Sequence, residues 1–433
     1  MKKAWNIFLV LPLMIILLSC EDELIQEQQV LSQDELAQLE KTNELKQAVF
    51  DIMSEWYLWN DLIPEVDIDS YTSAEDLMRA MTNKQLDKWS YIENEEEYDA
   101  LFEKGEYEGY GFRMAFDPKG NLRVAFVYND SPFGRAGVQR SWIINKINGK
   151  AVKDLSSAAL AEALEGSTHN FEMIRSDGIT VSELVTKTTI GINTVLTDKV
   201  FDLENTKVGY LAFNSFLATS EEELKSSFQK FKDANIQELI IDLRYNGGGR
   251  VNIAEWMASN IIGNLGNGRN FLEYKFNKDK SEENDSQVAF QASEIPLNLD
   301  RVVFITSSGS ASASELLING LLPFIDVSLI GDNTYGKPVG SFKIPFEGYA
   351  INPISFKVLN DQGIGEYFEG IPADAYVEDD LTHDLGNPEE SRLKEALYYI
   401  QNGSFSGLNA RQSNSLQSRQ FELEGFRQEI GAF

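Results

Sequence analysis

Apolar residues along this chain fall into three textures. Between 34 and 104 they recur at helical spacing, as in Phe50, Met53, Trp56, Tyr57 and Trp59. That spacing predicts a helix with one packed aromatic face. A second helix begins at Thr72-Ser-Ala-Glu75, with Ser73 and Asp76 placed as a capping pair. From Tyr107 the apolar runs shorten and glycines separate them: Gly109-Tyr-Gly-Phe112, Leu122-Arg-Val-Ala-Phe-Val127 and Ile143-Ile-Asn-Lys-Ile147. These read as short strands, followed by an amphipathic helix over 155–164. From about Val195 near-continuous apolar strands alternate with helices. The strands lie at 207–213, 238–243 and 301–306, and the helices at 221–234, from Val251, at 316–322 and at 388–401. Strands apolar at every position belong to a sheet covered on both faces, so this part is expected to be α/β. Ser220 and Glu223 are spaced as a capping box for the first of those helices.

The first twenty residues change the picture. Lys2-Lys3 precedes an apolar run over 4–18, broken by Asn6 and Pro12 and ending Leu17-Leu-Ser-Cys20. A basic start and an apolar core of this length read as a signal peptide, short for a membrane span. Cys20 is the only cysteine, so the exported chain carries no disulfide. The Leu-Leu-Ser-Cys ending resembles the bacterial lipobox. The resemblance implies lipidation of Cys20, a place in the bacterial cell envelope, and membrane contact through that lipid alone. Glu21-Asp22-Glu23 resembles the surface-export signals of lipoproteins in the Bacteroidetes phylum. A formal net charge of −30 argues against a nucleic-acid partner, whose phosphates would be repelled. The expected plan is a signal peptide over 1–20, a tether and helical domain over 21–104, a β-rich domain over 105–190, an α/β domain over 191–401, and a polar tail over 402–433.

Two turns carry candidate chemistry. Asp242-Leu-Arg-Tyr-Asn-Gly-Gly-Gly249 links a strand to a helix. Consecutive glycines let backbone N–H groups approach an anion closely. No Gly-Lys-Ser/Thr follows, so an oxyanion-hole donor fits better than a phosphate loop. The second turn, Ser307-Ser-Gly-Ser-Ala-Ser-Ala-Ser314-Glu315, joins the 301–306 strand to a helix. It is followed, past one more strand, by Tyr335-Gly-Lys337. A serine at a helix start is exposed and sits beside free N–H groups. The chain has two histidines, His169 and His383, both expected at the surface. A Ser–His–Asp triad is therefore poorly supported, and a histidine-built zinc site is excluded.

Asp-Leu-Arg-x-Asn-x-Gly-Gly, then Ser312-Ala-Ser-Glu315, then Tyr335-Gly-Lys337, with Glu369-Gly-Ile-Pro-Ala-Asp374 further on, resembles the carboxyl-terminal processing peptidases, or tail-specific proteases. The Trp56-Tyr-Leu-Trp59 helix is similar to Bacteroidetes lipoprotein members. This resemblance implies a crotonase/Clp-protease-like α/β fold and a Ser–Lys dyad, here Ser312 and Lys337, 25 residues apart as in the family. It also implies oxyanion donors at Ala313 and at Gly247 or Gly248, a polypeptide substrate, and no metal or nucleotide cofactor. Where several members carry Gln or Glu after the lysine this chain has Ser341, and where others carry an aspartate it has Pro323. Ser310 and Ser314 are expected to be structural.

Gly109-Tyr-Gly-Phe112, Ser131-Pro132 with Ala136-Gly137, and Ile144 to Gly149 resemble a PDZ domain, inserted in or preceding the α/β domain. The resemblance implies that the loop Gly109, Tyr110, Gly111 and Phe112 binds a peptide terminus through its N–H groups. A Gly-Asp usual before the Ile-Ile strand is replaced by Ser141-Trp142. The remaining alternatives are a catalytically silent peptide-binding lipoprotein and a crotonase-like enzyme of coenzyme-A thioesters. The export signal argues against the second.

Overall fold

The computed structural model describes residues 32–204 and 206–407. The signal peptide, Cys20 and most of the expected tail lie outside the described residues.

The α/β unit is built on a six-stranded sheet. Its order is Val195–Leu203, Thr206–Phe213, Glu238–Asp242, Arg301–Thr306, Asp326–Gly331 and Ala375–Tyr376. The first pair is antiparallel and the others are parallel. Alternate residues of the central strands feed two cores, as a strand's period of two requires. Leu239, Ile241, Val302 and Phe304 pack beneath the helices Ser220–Ala234, Val251–Ile262 and Ala313–Leu321. Ile240, Val303 and Ile305 pack against the helix Ser391–Asn402 on the other side. The polar, charged stretch over 263–300 contributes two strands, Asn270–Phe276 and Ser286–Ala289. They belong to a second sheet with Ile354–Asn360 and Val339–Ser341.

The first helical segment does not stand apart. The helices Gln33–Trp56 and Ala74–Met81 share one core with Val339, Ile351 and Ile354 of the α/β unit. The strand Tyr91–Asn94 pairs with Tyr349–Asn352. Ser73 caps its helix as expected, its side chain accepting from the Asp76 N–H at 3.1 Å. Ser220 and Glu223 do not form a capping box. Thr219 is the N-cap, and Glu223 reaches back to accept from the N–H groups of Thr194 and Val195.

The β-rich domain is an insertion. Its antiparallel incoming and outgoing strands, Glu106–Gly109 and Thr188–Gly191, run side by side as a two-stranded stalk. Beyond it stands a sheet ordered Phe112–Phe116, Leu122–Val127, Ile143–Ile147, Thr168–Ile174 and Thr180–Thr186, with the helix Ser157–Ala163 on its own core. Ser141, standing where a glycine was expected, adopts a φ of 78°. His169, expected at the surface, is 3 % exposed. Burial there follows from hydrogen bonds of both ring nitrogens, to the Tyr110 hydroxyl and to the Glu165 carbonyl.

Candidate active site

Three loops meet at the ends of the central strands, and their backbones are tied to one another. The Leu243 carbonyl accepts from Ser310 Oγ at 2.7 Å, and the Arg244 carbonyl accepts from Ser307 Oγ. The Asn246 carbonyl accepts from the Ala311 N–H at 3.1 Å and from Ser314 Oγ at 3.0 Å. Ser310 and Ser314 are thus spent on fixing the serine turn to the glycine loop. Ser312 is half-buried, with φ 55° and ψ −116°. A serine in the left-handed region is strained, and such strain is held only by surroundings that over-determine it. The helix Ala313–Leu321 starts at the next residue.

The glycine loop lies against that serine. A Cβ on Gly248 (φ 110°) would come within 2.8 Å of Ser312 Cβ and 3.0 Å of the Ala313 nitrogen. A Cβ on Gly249 would stand 2.3 Å from the Phe216 carbonyl oxygen. Neither place admits a side chain, which is the physical reason for the glycines. The Gly248 N–H already donates to Asn246 Oδ1 at 2.9 Å. That bond holds the glycine loop in its turn beside Ser312 and Ala313.

The lysine loop is joined through one carboxylate that the sequence presents only as a capping residue. Glu315 is fully buried. Its Oε2 accepts from the N–H of Ser312 at 3.0 Å and from the N–H of Lys337 at 2.8 Å. Its Oε1 accepts from the Gly336 N–H and from Thr334 Oγ1, each at 2.6 Å. One side chain therefore sets the backbone of both candidate catalytic residues. Burial pushes the Glu315 carboxyl above its ordinary range, and the four donors pull against that. Lys337 is 7 % exposed. The Tyr335 N–H donates to the Ser310 carbonyl at 2.9 Å, and the Tyr335 ring packs edge-on against Trp89 from the first helical segment.

Glu315→Gln is expected to lower kcat by about 10²-fold with a smaller change in KM, because an amide has one accepting oxygen and its NH2 would face two of the four donors that the carboxylate now binds. Steady-state kinetics beside a circular-dichroism melt check this; a kcat within threefold of wild type overturns it.

Behind the glycine loop lies a charged cluster that sequence reading did not assemble. Arg244 is 1 % exposed and donates to Asp242, to Asp379 Oδ1 at 2.8 Å, and to both Glu390 oxygens at 2.7 and 2.9 Å. Arg140, from the insertion, reaches the same Asp379 at 3.1 Å, the Tyr245 hydroxyl at 2.8 Å and the His383 carbonyl at 2.7 Å. The structure brings Ser312, Lys337, Ala313, Gly247 and Gly248 into one place. It leaves the Gly109–Phe112 loop in the insertion, where Tyr110 and Phe112 are core side chains. Ser341 ends the strand that follows the lysine, and Pro323 follows the serine helix.

A sequence model described as peptidase family S41 matches residues 207–377. A second, described as the peptidase S41 N-terminal domain, matches residues 44–91. Together they take in half of the chain. The chain belongs to peptidase family S41. A probable CtpA-like serine protease of Staphylococcus saprophyticus is 27% identical over 318 residues, 71% of this chain and 62% of that protein. The carboxy-terminal processing protease CtpA of Bacillus subtilis is 24% identical over 289 residues, 64% of this chain and 59% of that protein. This S41 chain thus aligns with about six-tenths of the length of either relative. A crystal structure of a putative S41 protease from Bacteroides fragilis, 22% identical, superposes with a TM-score of 0.67 over 82% of this chain and 97% of that one. That likeness shows a shared mixed α/β fold.

Proposed function

We propose that this S41 chain is a serine endopeptidase that cleaves polypeptides near their C-termini. The observation that carries the reading is Glu315, which binds the N–H groups of Ser312 and Lys337 with the same carboxylate oxygen. Ser312 Oγ attacks the scissile carbonyl while the Lys337 side chain, acting as general base, takes its proton. The carbonyl oxygen becomes an oxyanion, held by the N–H groups of Ala313 and of Gly247 or Gly248. The resulting ammonium protonates the departing amine as the C–N bond breaks. Water then attacks the acyl-enzyme, with Lys337 as base again, and releases the acid and free Ser312.

In the same reading the insertion is a PDZ-like module whose Gly109–Phe112 loop captures a substrate terminus, and lipidated Cys20 anchors the protein in the bacterial cell envelope. The Bacillus subtilis relative is named a carboxy-terminal processing protease and the Staphylococcus saprophyticus one a probable CtpA-like serine protease, which supports the substrate class.

A serine-directed phosphonate is expected to label the protein at Ser312, seen as a mass shift on the peptide containing 307–315, and to leave Ser312→Ala unlabelled. Equal labelling of both proteins, or labelling only at another serine, overturns the assignment.

A further inference from the structure

Arg113 directly follows the Gly-Tyr-Gly-Phe loop, in the strand Phe112–Phe116. Phe112 and Met114 point into the core of the insertion, so by strand alternation Arg113 points out of it. It points at the active-site loops. Its Nη1 donates to the Tyr245 carbonyl at 3.2 Å, and its guanidinium carbon stands 5.3 Å from the centre of the Tyr245 ring. A methyl group on Gly309 would lie 3.4 Å from its Nη2. Tyr245 is two residues before Gly247, and Gly309 is three before Ser312. The strand is an edge of its sheet, so the backbone beside Arg113 can accept a further strand.

What sets Arg113 apart is its lack of an acid. Among the described residues Arg140, Arg244 and Arg392 each hold a carboxylate within ion-pair distance, and Arg113 holds none. The carboxylate nearest in influence, Asp379, is already taken by Arg140, Arg244 and the Tyr245 hydroxyl. Burial holds the Arg113 guanidinium below its ordinary range, with Tyr245, Tyr128 and Asp379 partly offsetting it. Arg113 is nonetheless still partly exposed. In a chain with 68 acidic residues, a half-buried guanidinium with no carboxylate beside it is prepared for an anion from outside.

We propose that Arg113 is a specificity-determining residue that binds a carboxylate of the polypeptide substrate lying in the recess between the strand Phe112–Phe116 and the serine turn. The inference rests on the peptidase reading and narrows it to peptides that carry a carboxylate close to the bond cut. That carboxylate is either the free C-terminus or an acidic side chain, which are one chemistry from two sources.

The test uses four peptides of one sequence: free acid or amide at the C-terminus, and Asp or Asn at one inner position. Affinity is read by fluorescence anisotropy on Ser312→Ala, and kcat/KM on the active protein. The expected result is a carboxylate preference that falls tenfold or more in Arg113→Gln, and that Arg113→Lys restores in part. The pair in which the preference collapses, acid/amide or Asp/Asn, names the source. An unchanged preference, or an equal loss on all four peptides, assigns Arg113 to holding the insertion in place and overturns the proposal. Binding on the Ser312→Ala background still answers if no peptide is cut, so failure of the cleavage reading is seen separately.

Discussion

Ser312→Ala is expected to lower kcat on any cleaved peptide by a factor on the order of 10⁴ or more, with little change in peptide affinity. The side chain lost is the only group placed to form the acyl bond in the proposed cycle, and no neighbouring serine can stand in. Ser310 Oγ and Ser314 Oγ are held by the carbonyls of Leu243 and Asn246, inside the turn. Lys337→Ala should fall nearly as far, by a factor on the order of 10³, because general-base help to the serine is removed. The two effects should not add in the double variant, since nucleophile and base act as a unit. Cleavage kinetics of the three variants against wild type check this. A Lys337→Ala protein with wild-type kcat would remove the dyad, and a double variant far below Ser312→Ala would remove the idea of a unit.

The second large effect concerns stability. Arg244→Ala is expected to destabilise the α/β unit by about 3–5 kcal/mol, since it leaves Asp242, Asp379 and Glu390 around an emptied site. For a unit of this size that corresponds to a fall in Tm on the order of 10 °C. Burial alone would raise the Asp379 and Glu390 carboxyls. Arg244, joined at Asp379 by Arg140, Arg392 and the Tyr245 hydroxyl and at Glu390 by the Leu393 N–H, outweighs burial only together with them, and both carboxyls are held below the usual carboxylate range. Depressed carboxyls contribute stability above their unfolded values and lose it as the pH falls through the folded ones. In Arg244→Ala that contribution is reduced, with Arg140 and Tyr245 still on Asp379. The gap between the two proteins should therefore be widest near neutrality and should narrow as the pH drops below about 4. Thermal melts across pH 3–7 read it directly, and a gap that widens on acidification contradicts the assignment.

Local chemistry was legible in the sequence, and long-range contact was not. The strand Glu238–Asp242 is apolar along its length because both faces are covered, and periodicity alone reveals that. Ser73 and Asp76 are three residues apart, so their hydrogen bond is a property of spacing. The Ser312–Lys337 assignment was different in kind. Five serines compete in 307–314, and the choice came from family resemblance rather than from pattern. Glu315 shows the limit best. Its bond to the Ser312 N–H is the capping contact that spacing predicts. Its bonds to Gly336 and Lys337 cross 21 and 22 residues and have no local signature. Glu223 misled for the same reason. It has the spacing of a capping residue, but the free N–H groups of Thr194 and Val195 won the side chain, 28 to 29 residues away. His169, expected at the surface, is buried. Two hydrogen bonds allow it to be buried, and neither partner could be named from sequence.

The Arg244–Glu390 pair also bears on how much of the chain the glycine loop needs in order to settle. Its two residues are 146 positions apart, and Glu390 leads the last described helix. A chain ending at Lys337 would carry the serine, the lysine and the whole glycine loop. It would lack Asp379 and Glu390, two of the three carboxylates around Arg244, and would keep Asp242 alone. A truncation before the last described helix should therefore unsettle the glycine loop although every candidate catalytic residue is still present.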